Sequence, residues 1–306
     1  MQNNQPALTF GPVISRRFGM SMGIDLSPNS KQCNFDCLYC ELKGAKTVSE
    51  QSESLQPELY IQKVQEAIEK FPEIDVITIT ANGEPTLYSY LDKLVDMLNN
   101  IKGDKKLLIL SNSGLMKDER IIQILHKIDI VKLSLDCATK ECFKKLDRID
   151  KSINHLDIID GIIEFSKTFK HDLILEVLFV DTINNKPSEI EKLNHLIKQV
   201  KPKRIDIGTI DRPPAYDVKP ISYEELLNIA KEFEGENISI AHRQKIKSNK
   251  FLEKNEILNL LDKRPQTKED IENLLDEKSK KVFDILIQED KIYTINVAGL
   301  DFYKST

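Results

Sequence analysis

At residues 33–40 the chain carries the stretch Cys-Asn-Phe-Asp-Cys-Leu-Tyr-Cys. Its cysteines, Cys33, Cys37 and Cys40, follow a C-x3-C-x2-C spacing, with an aromatic residue directly before the last one. Three thiolates this close can surround one face of an iron–sulfur cube only if a loop carries them, because a regular helix or strand would point them in different directions. The stretch therefore predicts a loop that ligates a four-iron, four-sulfur cluster.

Three cysteine ligands leave one iron of such a cluster open. A cluster that only carries electrons usually has four cysteines, so the missing fourth ligand indicates that a small molecule binds at the open iron. A zinc site is one alternative, but it needs a fourth Cys or His at short spacing, and no His precedes His126. A disulfide is another, and the odd number of cysteines and the absence of any sign of export disfavour it.

Composition describes an ordinary globular protein. The 306 residues, 40% hydrophobic and 30% charged, suit one large domain with a small appendage. The first residues lack a basic-then-apolar pattern, so we expect no secretory signal, and no apolar run is long enough to cross a membrane. Five cysteines, three of them in a cluster-like loop, favour the reducing cytoplasm. A net charge of −5 gives no overall attraction to nucleic acid, although a local basic patch would suffice.

The middle of the chain alternates short β-branched runs with amphipathic stretches. The candidate strands are Gly23–Leu26, Asp75–Thr80, Lys106–Ser111, Ile130–Leu135, Leu173–Val180 and Arg204–Ile210. The candidate helices are Pro57–Lys70, Tyr88–Asn100, Lys117–Lys127, Lys151–Lys170 and Pro187–Val200. Apolar strands separated by helices of a dozen residues are typical of β-α units with a parallel sheet, and six units are too few for a closed eight-unit barrel.

The pattern changes after about residue 235, so we predict a barrel domain over residues 1–235, a basic linker over 236–250 and a small module over 251–306. The linker contains His242, Arg243, Lys245, Lys247 and Lys250. The module has helical stretches near Phe251–Asp262, Thr267–Leu275 and Lys278–Glu289, then a β-pair around Ile292–Val297 and Leu300–Tyr303 that turns at residues 298–299. This order resembles a winged helix. Because residues 247–306 hold 11 Lys and Arg against 12 Asp and Glu, we expect docking or substrate presentation rather than DNA binding.

Polar residues follow several of the candidate strands, where the loops of a barrel carry ligands. Gly83 and Glu84 follow the second strand, and glycine lets the backbone approach a ligand while the glutamate offers an anion for an ammonium group. The other candidate ligand contacts are Asn112, Ser134, Asp136 and Arg212. Helix capping explains the Ser and Asp positions equally well, and a surface ion pair would explain the arginine.

Together these motifs resemble the radical S-adenosylmethionine (SAM) superfamily. The resemblance rests on the cysteine spacing, on Gly-Pro-Val-Ile-Ser-Arg-Arg-Phe-Gly at residues 11–19, on Ala-Asn-Gly-Glu-Pro-Thr at 81–86 and on Asp-Arg-Pro-Pro-Ala at 211–215. It is similar in particular to the branch grouped with the wyosine-base-forming tRNA enzymes, although those carry further N-terminal cysteines that this chain lacks before Cys33.

The resemblance implies a fold, cofactors and partners. The fold would be α/β, a partial (β/α)6 barrel followed by the winged-helix-like module. The open iron would chelate SAM, reductive cleavage would yield a 5′-deoxyadenosyl radical, and a reductant such as flavodoxin or ferredoxin would supply the electron. Glu84 would hold the amino group of SAM, with Ser134 and Asp136 near its ribose and methionine portions. The resemblance leaves the substrate open.

Three interpretations of function remain. The first is a radical SAM enzyme that acts on a tRNA base, and the second is one that acts on a peptide or protein. The third is an iron–sulfur sensor that regulates DNA through its tail, which leaves Glu84, Asp136 and Arg212 without a role. Cys137 and Cys142 match no second cluster motif and are expected to be small buried residues.

Anaerobically reconstituted protein should bind about four irons per chain, which is the content of one cubane cluster. Replacing Cys33, Cys37 or Cys40 by Ala should abolish the cluster, whereas Cys137→Ala should retain it. Iron, acid-labile sulfide and visible absorption measure the result. Stoichiometric zinc without iron in natively purified protein would contradict this prediction.

Overall fold

A sheet of eight strands, in the order in which they occur along the chain, forms the frame of the larger part of the molecule. The computed structural model describes residues 7–15, 17–233, 237–240, 251–263, 265–297 and 300–306. The strands are β1 (Thr9–Ser15), β2 (Gly19–Asp25), β3 (Val76–Thr80), β4 (Lys106–Ser111), β5 (Ile130–Ser134), β6 (Asp172–Phe179), β7 (Arg204–Thr209) and β8 (Ile238–Ile240). β1 pairs with β2 antiparallel and every later pair is parallel, so the predicted α/β partial barrel is confirmed.

Helices connect the parallel strands, as the alternation of patterns predicted. They are α1 (Pro57–Lys70), α2 (Leu91–Ile101), α3 (Glu119–Leu125), α4 (Lys140–Cys142), α5 (His155–Thr168), α6 (Pro187–Val200) and α7 (Tyr223–Glu232). α4 continues into a π-helical turn, Phe143–Asp147. The predicted bounds of α1 and α6 are those of the structure, because each helix begins with a proline at its first turn, where a missing N–H costs nothing.

Two strands lie outside the six that the sequence indicated. β1 contains Gly11-Pro12 and a bulge, which are tolerated at the edge of a sheet, and the sequence analysis assigned no strand there. β8 has only three residues and extends the sheet into the segment 236–250 that the sequence assigned to a linker. Residues 241–250 of that segment lie outside the described residues.

The two faces of the sheet have different chemistry. Side chains alternate between faces along a strand, and the outward set packs against the helices in the main apolar core. The inward set forms a small apolar layer at one end of the barrel, made of Val76, Leu108, Ile130 and Ile174 with Phe18 against them. Above that layer the inward positions are largely polar, which leaves room for a site.

The C-terminal part forms a separate apolar core. Its elements are α8 (Lys254–Lys263), β9 (Gln266–Thr267), α9 (Lys268–Leu274), α10 (Glu277–Gln288), β10 (Ile292–Val297) and β11 (Leu300–Ser305). Thr267 and Asp270 form the predicted capping box. The core of this tail includes Val13 of β1, and Lys70 of α1 pairs with Glu256 at 2.7 Å, so the tail packs on the edge of the barrel.

The winged-helix interpretation of this tail stays a prediction, and its turn at residues 298–299 lies outside the described residues. Among the helices that the structure describes, none combines the length and the apolar character that crossing a membrane requires.

Candidate active site

The cysteine loop lies at the carboxyl ends of the strands, directly after β2. Backbone hydrogen bonds fix it to two other segments. Asp36 N donates to Asp147 O at 3.1 Å and Leu38 N to Leu146 O at 2.9 Å, both in the π-helical turn, and Ala215 N donates to Cys40 O at 2.8 Å.

The three predicted ligands are free thiols that are partly buried. Cys33 Sγ accepts two weak hydrogen bonds at 3.4 Å, from Phe35 N and from Asn112 Nδ2. Burial raises the pKa of Cys33 to about 12 and also raises the pKa of Cys37 and Cys40. A cation stabilises thiolates directly, so this donor set fits a metal cluster whose positive charge offsets the desolvation.

Gly83 occupies a position that only glycine can fill. Its φ is +139°, and a Cβ there would lie 1.9 Å from the carbonyl oxygen of Gln32. The missing side chain lets Gln32 N donate to Asn82 O at 2.8 Å and Glu84 N donate to Gln32 O at 3.0 Å. The Ala-Asn-Gly-Glu motif is thereby joined to the residue just before Cys33.

Glu84 is a buried carboxylate, 1% exposed, that neighbouring donors hold in place. Its Oε1 accepts from Thr86 N, Thr86 Oγ1 and Ser111 Oγ at 2.7–3.0 Å, and its Oε2 accepts from Asn112 N at 2.7 Å. Burial raises its pKa. Each carboxylate oxygen has two lone pairs, and Oε2 has one donor, so Oε2 can take a further donor from the cavity, and a cation there would offset the cost of burial.

Four of the six predicted contacts line one cavity. This cofactor cavity, of about 190 Å³, is bounded by the three cysteines and by Gly83, Glu84, Asn112 and Ser134. Asn112 lies where these groups meet, since its side chain bonds Cys33 Sγ and also Asn34 Oδ1, the latter at 2.7 Å. The arrangement places an acidic group, an amide and a hydroxyl beside a thiol triad.

Asp136 and Arg212 lie elsewhere. Asp136 is 3% exposed and accepts from Tyr39 O–H at 2.5 Å and from Leu178 N at 2.7 Å, so it holds the side chain of Tyr39, the aromatic residue of the cysteine motif. Burial raises its pKa to about 7. Arg212 donates to Glu41 at 2.8 Å on the wall of a second cavity.

The second cavity has a volume of about 510 Å³ and lies inside the barrel that the sheet forms, so we call it the barrel cavity. The residues that line both cavities are Tyr39, Cys40, Leu42, Thr80, Leu110, Lys132 and Glu176. The two cavities therefore adjoin and share part of their lining.

Sequence reasoning missed three residues of this site. Tyr39 was noted only as an aromatic within the motif, and its bond to Asp136 spans 97 positions. Lys132 and Glu176 are charged residues at inward positions of strands that are otherwise mostly apolar. The alternation of side chains along each strand could have identified both as inward-facing from the sequence.

Cys137 and Cys142 differ from their sequence interpretation in one respect. They are buried, as predicted, but they form a disulfide with each other. Thr139 caps the turn that begins at Lys140, which folds the chain back and leaves the two Cα atoms 5.5 Å apart.

Comparison with known proteins agrees with this geometry. The family described as "Radical SAM superfamily" matches residues 30–197. A UPF0026 protein of Helicobacter pylori is 37% identical over 99% of this chain and 99% of its own length. A radical SAM methyltransferase from Sphaerobacter thermophilus superposes with a TM-score of 0.57 at 15% identity, over 72% of this chain and 66% of that one. A structure of TYW1 with a lysine-pyruvate adduct bound gives a TM-score of 0.45 at 15% identity, over 93% and 80%.

The chain therefore belongs to the radical SAM superfamily and, within it, to the family of UPF0026 proteins. It is an enzyme, and the cofactors of its superfamily are a four-iron, four-sulfur cluster and SAM.

Glu84→Gln should weaken SAM binding about tenfold or more while iron content stays unchanged, because an amide cannot replace a charge-assisted bond of roughly 1.5–3 kcal/mol. The amide oxygen keeps part of the local hydrogen bonding, so the loop should stay folded. Equilibrium dialysis with labelled SAM measures the affinity. The control is Glu164→Gln, an exposed residue paired with Lys117. Unchanged affinity in Glu84→Gln, or loss of iron, would contradict the predicted role.

Proposed function

We propose that Cys33, Cys37 and Cys40 hold the cluster and that SAM lies in the cofactor cavity, with the substrate in the barrel cavity. The observation that supports this proposal is the convergence of three free thiols and four independently predicted residues on one cavity that adjoins a larger one. When bound, the reduced cluster supplies the electron that cleaves SAM to methionine and a 5′-deoxyadenosyl radical, which abstracts hydrogen from the substrate.

The residues around the cofactor cavity bind and orient. Glu84 receives the ammonium group of SAM on the free side of Oε2, and Gly83, which stays a predicted contact, lets the Gln32 backbone pair with this loop. Ser134 offers a hydroxyl to the ribose or methionine portion. Asp136 acts through Tyr39, whose hydroxyl it holds and which lies between two candidate ligands in the sequence. Arg212 stays a predicted ligand contact, and it lies on the wall of the barrel cavity.

The substrate is a tRNA base or, alternatively, a peptide or protein side chain. Membership in the superfamily does not fix the choice, because one fold serves many substrates. A reductant such as flavodoxin or ferredoxin supplies the electron. The sensor hypothesis gives no role to the barrel cavity, so we do not propose it.

Reduced, reconstituted enzyme should release 5′-deoxyadenosine from SAM, slowly alone and faster with host RNA or protein fractions that contain the substrate. Chromatography of the anaerobic reaction measures the product. Cys33→Ala should release none, and Cys137→Ala should behave as the unchanged enzyme. If no 5′-deoxyadenosine forms with any fraction, the proposal fails.

We infer that the tail, residues 251–306, positions a partner or substrate and takes no part in the radical step. A chain truncated after Lys250 should keep its iron and its uncoupled SAM cleavage but lose turnover of the substrate. Glu256→Gln in the full chain is the control, because it removes the charge that pairs with Lys70, keeps an oxygen for the bond from Glu253 N and leaves the tail in place.

Two results would contradict this role of the tail. Full turnover by the truncated enzyme would make the tail a structural cap. Tight, sequence-specific DNA binding by the isolated tail in gel-shift titrations, falling steeply with salt, would instead indicate a DNA-reading module.

A further inference from the structure

Five charged side chains form a connected network deep inside the barrel. Lys132 of β5, Glu176 of β6 and Asp206 of β7 lie on the inward face of neighbouring strands. Arg204 of β7 and Arg17, from the turn between β1 and β2, complete the network. We call these five residues the floor of the barrel cavity.

The cations of the floor outnumber its anions. Asp206, which is fully buried, contacts Arg17 at 3.2 Å, Arg204 at 2.7 Å and Lys132 at 3.3 Å. Lys132 also contacts Glu176 at 2.5 Å. Within the described residues the floor therefore has three cations and two carboxylates, a net charge of +1. Lys132 and Asp206 are buried, and an unbalanced positive charge beside them is unfavourable, so this arrangement favours a bound anion.

The two arginines have a structural task that Lys132 does not share. Arg17 donates to Ser239 of β8, and Arg204 stacks 4.9 Å over the ring of Phe18. These contacts join the two edges of the open barrel and already neutralise Asp206. Lys132 adds a further positive charge but does not connect the two edges of the barrel. At the equivalent inward position β4 has an apolar residue.

The floor opens toward the space where we place the substrate. Arg17, Lys132 and Glu176 line the barrel cavity, whereas Asp206 lies beneath them. Lys132 is 7% exposed, and with Glu176 it also lines the cofactor cavity. At the other end of the barrel cavity Glu41 pairs with Arg212 at 2.8 Å, so that end has charged groups of both signs.

We propose that the floor is an anion subsite in which Lys132 binds a carboxylate or phosphate group of the substrate. This inference rests on the proposed function in assigning that group to the substrate. Glu176 competes with the incoming anion for the Lys132 ammonium. A cavity of about 510 Å³ has room for a small molecule whose anionic group lies at the floor. Binding there directs the rest of the substrate toward the cofactor cavity.

The test is a ¹⁹F NMR titration of trifluoroacetate with holoenzyme in the oxidised state and SAM bound. The unchanged enzyme should broaden the resonance saturably. Lys132→Gln should weaken binding about tenfold, because one charge-assisted contact is lost. Glu176→Gln should tighten binding, because it removes the competing carboxylate. Lys203→Gln, an exposed lysine paired with Asp172, should leave binding unchanged.

The opposite effects of the two cavity variants separate the subsite from mere structural damage, which would weaken binding in both. Competition by unlabelled acetate or by inorganic phosphate supports the subsite and tells which group it prefers. Absence of saturable broadening, or equal broadening by Lys132→Gln and the unchanged enzyme, would overturn the proposal. The titration requires no radical chemistry, so it can fail while 5′-deoxyadenosine is still released, and the reverse also holds.

Discussion

The position of the whole site depends on a backbone pairing between Gln32 and residues 82–84. Gln32 donates to Asn82 and accepts from Glu84, and the pairing exists because Gly83 has no side chain to separate the two segments. It fixes the residue directly before Cys33 to the loop after β3. Any side chain at position 83 would push these segments apart and with them the thiol and the carboxylate. A constraint on main-chain approach thus sets the distance between the candidate cluster ligands and the candidate SAM contact.

Burial of charge is the second theme of the barrel interior. Glu84 is stabilised by fixed hydrogen-bond donors, Asp136 by Tyr39 and a backbone amide, and Asp206 by three cations. All three carboxylates thus have the partners that a buried ionisable group requires in a low-dielectric environment. The donors around Glu84 are neutral, so its negative charge stays unbalanced. The cations around Asp206 exceed its charge, so that site has an excess of positive charge. The cofactor cavity therefore suits a cationic group, and the floor of the barrel cavity suits an anionic one.

Much of the frame followed from periodicity in the sequence. The six predicted strands and the helices α1 and α6 were found because apolar runs and proline starts are local signals. β1, β8 and α7 were missed, since an edge strand with a proline, a three-residue strand and a short helix give weak patterns.

The sequence by itself determined the cysteine spacing, the alternation of strands and helices, and the Gly83-Glu84 turn, because each depends on neighbours within a few positions. Only the tertiary structure decided which strand-end residues meet. It separated Arg212 from the cofactor cavity, placed Asp136 behind Tyr39, and bonded Cys137 to Cys142. It also brought Lys132, Glu176 and Asp206 together although they are 44 and 74 positions apart. Neighbouring parallel strands bring residues at the same level of the sheet into contact. The register between the strands depends on how the whole sheet packs, and no single segment of the sequence contains that information.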